Sequence, residues 1–308
     1  MTFGAEFVPL TLPPLVIAML AALACAAPGN FLLLRGQSML GDAMSHVVLP
    51  GIVAAFLLTG SASQPVMLAG ALAAAALSSA LIEGIRRATG ADPGAAMGVT
   101  FTAMFALGVL LLETSGAGAV HLDVEHALYG NLEGLIWIDA TGWASLADPA
   151  ALATLPSELP ALAIATAAIL AALTLFWRPL TIATFDEGFA TSAGIPTRWI
   201  SAGLTGLTAL AAVAAFSAVG SILTIAMLIC PPATARLLTD SLPRQMALSL
   251  IIAALAAALG TLIAGYLPLA LGLGFSVSAS GSIAVLAGVF LGLAATFGPR
   301  RRRLAASA

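Results

Sequence analysis

Gly36-Gln37-Ser38-Met39-Leu40-Gly41-Asp42-Ala43-Met44-Ser45-His46 leads into a long apolar run that begins Val47-Val48-Leu49-Pro50. If the stretch is helical, Asp42 and His46, four residues apart, share one face. A carboxylate beside an imidazole is a hard and borderline ligand pair for a divalent metal. Ionisable groups are expensive inside a membrane, so their presence there points to a role. The side chains alone leave two readings open. Either the pair holds a metal, or Asp42 caps a helix start and His46 hydrogen-bonds a neighbouring helix.

That this run lies in a membrane follows from composition. Of 308 residues, 60% are hydrophobic and 8% charged, and the mean hydropathy is +1.07, which excludes a soluble globular domain. Apolar runs near the roughly 20 residues needed to cross the bilayer fill most of the chain. They are expected at 13–34, 44–60, 65–84, 96–113, 158–177, 199–214, 217–235, 245–266 and 276–297, giving an all-α polytopic bundle of about nine crossings. The chain, 1–308, reads as a single transmembrane domain. The first residues carry Glu6 and no base, unlike a cleavable signal peptide. Cys25 and Cys230 lie in apolar runs and read as small core residues.

All 11 basic residues are arginine. With the N-terminus outside and the C-terminus cytoplasmic, every arginine falls on one side, as the positive-inside rule requires. The loops at 61–64, 114–157 and 267–275, which hold none, fall on the other. The external loop 114–157 is expected to contain short interfacial helices, with Trp137 and Trp143 at the headgroup level. The basic tail 298–308 is juxtamembrane and suits anionic lipid rather than nucleic acid. Glu83, four residues before Arg87, reads as a paired helix-end residue, and Glu113 as a boundary residue. Gly288 and Gly292 permit close helix packing.

On a continuous helix counted from Arg35, Asp42 lies about 10 Å and His46 about 16 Å into the membrane. Pro50 would release the carbonyl of His46, as in the broken helices that line transport sites. Two ligands are too few for a four- to six-coordinate metal, so a two-fold dimer sharing both pairs is the economical way to complete the site. His121, Asp123, Glu125 and His126 form a second, external metal-friendly cluster. The cytoplasmic loop 184–198 carries Phe185, Asp186, Glu187 and Phe189 at a short helix start and ends at Gly194 and Pro196. Without lysine the chain cannot form a P-loop of the Gly-x4-Gly-Lys type, so any ATP hydrolysis belongs to a separate subunit.

Gly41-Asp42-Ala43-Met44-Ser45-His46-Val47-Val48-Leu49-Pro50-Gly51 resembles the G-D-A-x-S-H-x-x-L-P-G signature of the ABC-3 family, the permease subunits of manganese, zinc and iron ABC importers. Three further stretches, in order along the chain, are similar to segments of that family. They are Leu128-Tyr129-Gly130-Asn131-Leu132, Phe185 to Ala190 with Gly194-Ile195-Pro196, and Pro231-Pro232-Ala233-Thr234-Ala235-Arg236. Tyr129 stands where the family usually has Phe, and Pro232 where Ala is commoner.

The resemblance implies a fold like type II ABC importer permeases and a multi-pass protein of the bacterial cytoplasmic membrane. It implies a homo- or heterodimer of permeases, a cytoplasmic ATPase gripping the 184–198 loop, and an extracytoplasmic metal-binding protein. Asp42 and His46 would line the path of a transported Mn, Zn or Fe ion, with no intrinsic cofactor and no covalent catalysis. Metal held by ionised Asp42 and neutral His46 should bind more weakly as pH falls through the histidine range. Two other readings compete: a proton-coupled secondary transporter using the pair as a relay, and a permease for chelates such as siderophores, which needs a wide passage without fixed ligands.

Overall fold

A computed structural model of the chain describes residues 7–61, 64–114, 132–272 and 277–299. These residues are helical, with no strand among them. A short α1 (Phe7–Leu10) leads into α2 (Leu12–Leu34), followed by α3 (Leu40–Thr59), α4 (Gln64–Thr89) and α5 (Pro93–Thr114). After short 3-10 turns and α6 (Pro149–Leu152) come α7 (Glu158–Leu175), α8 (Trp177–Phe185) and α9 (Glu187–Ser192). The chain closes with α10 (Thr197–Leu238), α11 (Leu242–Ala270) and α12 (Ala279–Phe297). Among the described residues, eight helical spans are long and apolar enough to cross a membrane, and α3 contributes the shorter apolar piece Pro50–Thr59.

The 42 residues of α10 would extend about 63 Å if straight, twice the hydrocarbon thickness. They do not run straight. Ser201 and Ala211 lie beside Arg35 and Cys25, so the first limb runs antiparallel to α2. Gly220, at φ 79° and ψ 175°, adopts a conformation open essentially to glycine alone. Beyond it the chain returns, and Leu228 meets Gly29. The Val219 carbonyl at the break accepts a 2.9 Å hydrogen bond from the Ser280 hydroxyl of α12.

In hydrocarbon no hydrophobic force gathers helices, so small residues that let backbones approach become decisive. The alanine-rich α2 is the buried centre, packed against both limbs of α10 and against α7 and α11. A Cβ placed on Gly29 would lie 2.3 Å from the Leu228 carbonyl oxygen, and one on Gly41 would lie 2.5 Å from the Leu228 side chain. Gly51 and Gly70 bring α3 and α4 together equally closely, with a virtual Cβ on each within 2.4 Å of the other's carbonyl oxygen. Gly108 of α5 accepts the ring of Pro50 in the same way. One polar node joins α2 to α11: Asn30 donates to Ser249 Oγ at 2.6 Å and accepts from Gln245 Nε2 at 3.1 Å.

Several expectations change. The chain is not one helix from Arg35 to His46: α2 ends at Leu34, Gly36 takes φ +67°, and α3 starts afresh at Leu40. Nor does Pro50 break α3, which runs through it with Pro50 buried against Gly108. Trp137 is not an interfacial ring. It is 1% exposed, its indole donating to the Ala151 carbonyl at 2.8 Å and its backbone N–H to Pro9 at 2.8 Å. Trp143 is exposed and stacks on Phe7. Glu133 accepts from the Ala279 N–H at the start of α12. Gly288 and Gly292 meet nothing within 4 Å, so they make no helix contact within the chain.

Gly51→Val or Gly70→Val should therefore lower stability by about 2–3 kcal/mol, the cost of overpacking a close contact. Gly288→Ala should leave it unchanged. Thermal unfolding of the purified protein in detergent checks both.

Candidate functional site

The site is built from the turn between α2 and α3 and from what packs around it. The last turn of α2 closes through Gln37 N–H to Leu32 O at 2.8 Å, with Gly36 in the left-handed conformation that such a closure needs. The chain then enters α3 with Met39 as N-cap. Asp42 falls in the first turn and His46 one turn later, both in continuous helix. At 3.6 residues per turn, positions 42, 46 and 53 occupy a sector of about 40°. Val53 in that sector is fully buried and clusters with Leu112 of α5.

Gly41 and Gly29 touch the same Leu228. Gly29 lies six residues before Arg35, about 9 Å up α2. The start of α3 therefore stands near the height reached by counting along one helix, although the chain gets there through a turn.

Sequence reading treated Arg35 only as a marker of sidedness. In the fold it joins three elements. Its Nε donates to Thr184 Oγ1 at 3.1 Å, at the end of α8, and its Nη1 donates to Ser201 Oγ at 2.8 Å, in α10. Burial lowers the guanidinium pKa from its ordinary value, while Glu187 at the start of α9 opposes the shift. The only sequence signal for this role was an arginine beside Gly36. Its partners lie 149 and 166 residues away, beyond the reach of any local pattern.

The 184–198 segment is organised around α9. Asp186 is its N-cap, accepting from the Phe189 N–H at 2.8 Å, and Glu187 occupies the first turn, where negative charge favours the helix dipole. Ala190 is fully buried and anchors the helix. Gly194, at φ +79°, ends it, and the Ile195 N–H reaches back to Ala190 O at 2.9 Å. Pro196 is the N-cap of α10. Phe185 and Phe189 are each 59% exposed and Trp199 is 76% exposed, so this short segment of chain displays three aromatic rings. Trp199 had not been singled out in the sequence.

Glu83 pairs with Arg87 at 2.7 Å and with Arg86 at 3.3 Å, as its spacing predicts. His121, Asp123, Glu125 and His126 lie outside the described residues, as do Tyr129 and the arginines of the tail. Among the described residues no group of three or more His, Cys, Asp or Glu side chains is assembled for a metal.

Comparison with known proteins places this architecture. The ABC 3 transport family matches residues 8–141 and 150–298. The chain belongs to the ABC 3 transport family. It is 38% identical over 280 residues to the manganese transport system membrane protein MntD of Bacillus subtilis, covering 91% of this chain and 89% of that protein. It is 35% identical to the zinc transport system membrane protein TroD of Treponema pallidum, covering 94% of this chain and 75% of that protein. Among solved structures, PsaBC from Streptococcus pneumoniae in complex with Fab superposes with a TM-score of 0.76 at 29% identity, covering 96% of this chain and 95% of that one. This ABC 3 family chain is accordingly the multi-pass permease subunit of an ABC importer in the cytoplasmic membrane, with ATP hydrolysis in another subunit.

The Asp186 cap separates shape from charge. Asp186→Ala should weaken α9 by about 1 kcal/mol, lowering hydrogen-exchange protection at the Phe189 amide about fivefold. Asp186→Asn, which can still accept the bond, should retain most of the protection.

Proposed function

We propose that this chain is the permease of an ATP-driven importer of divalent transition metal ions, with Asp42 and His46 holding the ion in transit. Support comes first from their position, one turn apart at the start of α3. The turn leading into that helix is bound through Arg35 to Thr184 and Ser201, which flank α9. A segment that moves with an ATPase would thus act directly on the helix that carries the ligands. The second support is that the relatives are named for manganese and zinc transport.

In this reading the arginine-bearing ends face the cytoplasm and the C-terminus lies there. The exposed rings of Phe185, at the end of α8, and Phe189, on α9, dock into a groove of the ATPase. The ion arrives outside from a metal-binding protein, and the His121 to His126 cluster lies on that side of the membrane. A second permease subunit supplies the matching Asp and His, because two ligands do not fill the coordination shell of Mn, Zn or Fe. Closure around the ion and release inward follow from ATP-driven motion of α9, passed to α3 through Arg35.

Titration of the purified complex with Mn, Zn and Fe tests the site. Asp42→Ala and His46→Ala should each weaken metal binding by about tenfold or more, the usual cost of disturbing a ligand shell. Unchanged affinity in both removes the proposed site. Phe189→Ala should leave the fold intact yet abolish co-purification of the ATPase. Uptake by vesicles that persists without the ATPase and collapses with the proton gradient would favour a secondary transporter instead.

A further inference from the structure

Between the end of α2, the second half of α4 and the first limb of α10 lies a cavity of about 890 Å³. Its two ends differ in chemistry. One end is ringed by Arg35, Arg86, Arg87 and Arg198 against only Glu83 and Glu187. The Glu83 carboxylate is already shared between Arg86 and Arg87. Among the described residues Arg198 has no ion pair, and the Arg35 Nη2 is buried with no hydrogen-bond partner. Toward the other end the lining turns small and apolar, with Leu72, Ala75 and Ala76 of α4 and Gly206 and Ala209 of α10, while Ser79 and Thr205 lie between the two ends.

From Leu72 to Arg86 the α4 wall is about 21 Å long. That matches half a bilayer including its headgroup layer, about 20–22 Å. A cation would be repelled from the charged end, so this cavity is poorly suited as a passage for the metal itself. Arg35 and Arg198 both line this end and neither has an ion pair among the described residues, so an anionic oxygen entering the mouth meets guanidinium charge that no carboxylate has paired. The length, the apolar far end and the basic mouth together fit one molecule.

We propose that this cavity binds an anionic phospholipid of the cytoplasmic leaflet, its phosphate on Arg35 and Arg198 and one acyl chain along the groove between α4 and α10. Basic pockets between membrane helices on the cytoplasmic side are suited to such headgroups. Because the phosphate meets the same guanidinium that binds Thr184 and Ser201, a seated lipid stiffens the junction of α2, α8 and α10. The proposal is independent of which ion is carried.

The test is native mass spectrometry of the intact importer complex released from nanodiscs of phosphatidylcholine with phosphatidylglycerol. The wild type should retain one phosphatidylglycerol per permease chain and no phosphatidylcholine. Arg198→Gln removes part of the charge without disturbing the internal bonds of Arg35, and should cut retention about tenfold. Gly206→Leu fills the apolar end where a Cβ meets nothing within 4 Å. It should cut retention comparably while every charge stays in place. Retention left unchanged by either substitution overturns the proposal. So does displacement of the lipid by inorganic phosphate, which would mark a site for a soluble anion.

Discussion

Helices already surrounded by hydrocarbon gain little apolar burial by touching one another, so this bundle depends on how closely its backbones can approach. The decisive place is the junction at Leu228, where Gly29 of α2 and Gly41 of α3 both press on one residue of α10. At Gly29 a Cβ would strike the Leu228 backbone, so only hydrogen fits; at Gly41 it would press on the Leu228 side chain. Close contact with one residue of α10 therefore sets the start of α3 beside Gly29 of α2. The Gly51–Gly70 and Gly108–Pro50 contacts then hold the rest of α3 against α4 and α5.

Arg35 adds what packing cannot provide, a directional link. Thr184 and Ser201 receive its hydrogen bonds from two different elements, while Glu187 offsets part of the cost of its burial. Van der Waals contacts tolerate sliding, whereas a guanidinium fork resists it. The α2–α3 turn is therefore tied to the α8–α10 corner. In an importer driven from the cytoplasm, such a link has mechanical value.

Much of this was legible in the sequence because the bilayer imposes its thickness on every crossing. The spans at 96–113 and 158–177 fall almost on α5 and α7, and the division expected at 215–216 lies a few residues before the break at Gly220. The Glu83 pairing and the Asp186 cap were readable because both are local, within four residues. The turn at Gly36 was not, since one glycine between two apolar runs fits a softened helix as well as a left-handed closure. Trp137 was misplaced for a related reason. Its composition suits the headgroup layer, but its indole finds the Ala151 carbonyl and is drawn inside. The tie from Arg35 to Ser201 depends on tertiary contact alone. Of the candidate site, the spacing of Asp42 and His46 could be read from the chain, and the bonds from Arg35 to Thr184 and Ser201 could not.

The reversal at Gly220 also bears on when the fold can be completed during synthesis. The Val219 carbonyl gains its side-chain partner only from Ser280, 61 residues further along the chain. The start of α12 is in turn held by Glu133 through the Ala279 N–H. A nascent chain that has emerged through α11 still lacks that partner at the Gly220 bend, so the final helix serves as the keystone of biogenesis, completing a corner laid down long before it.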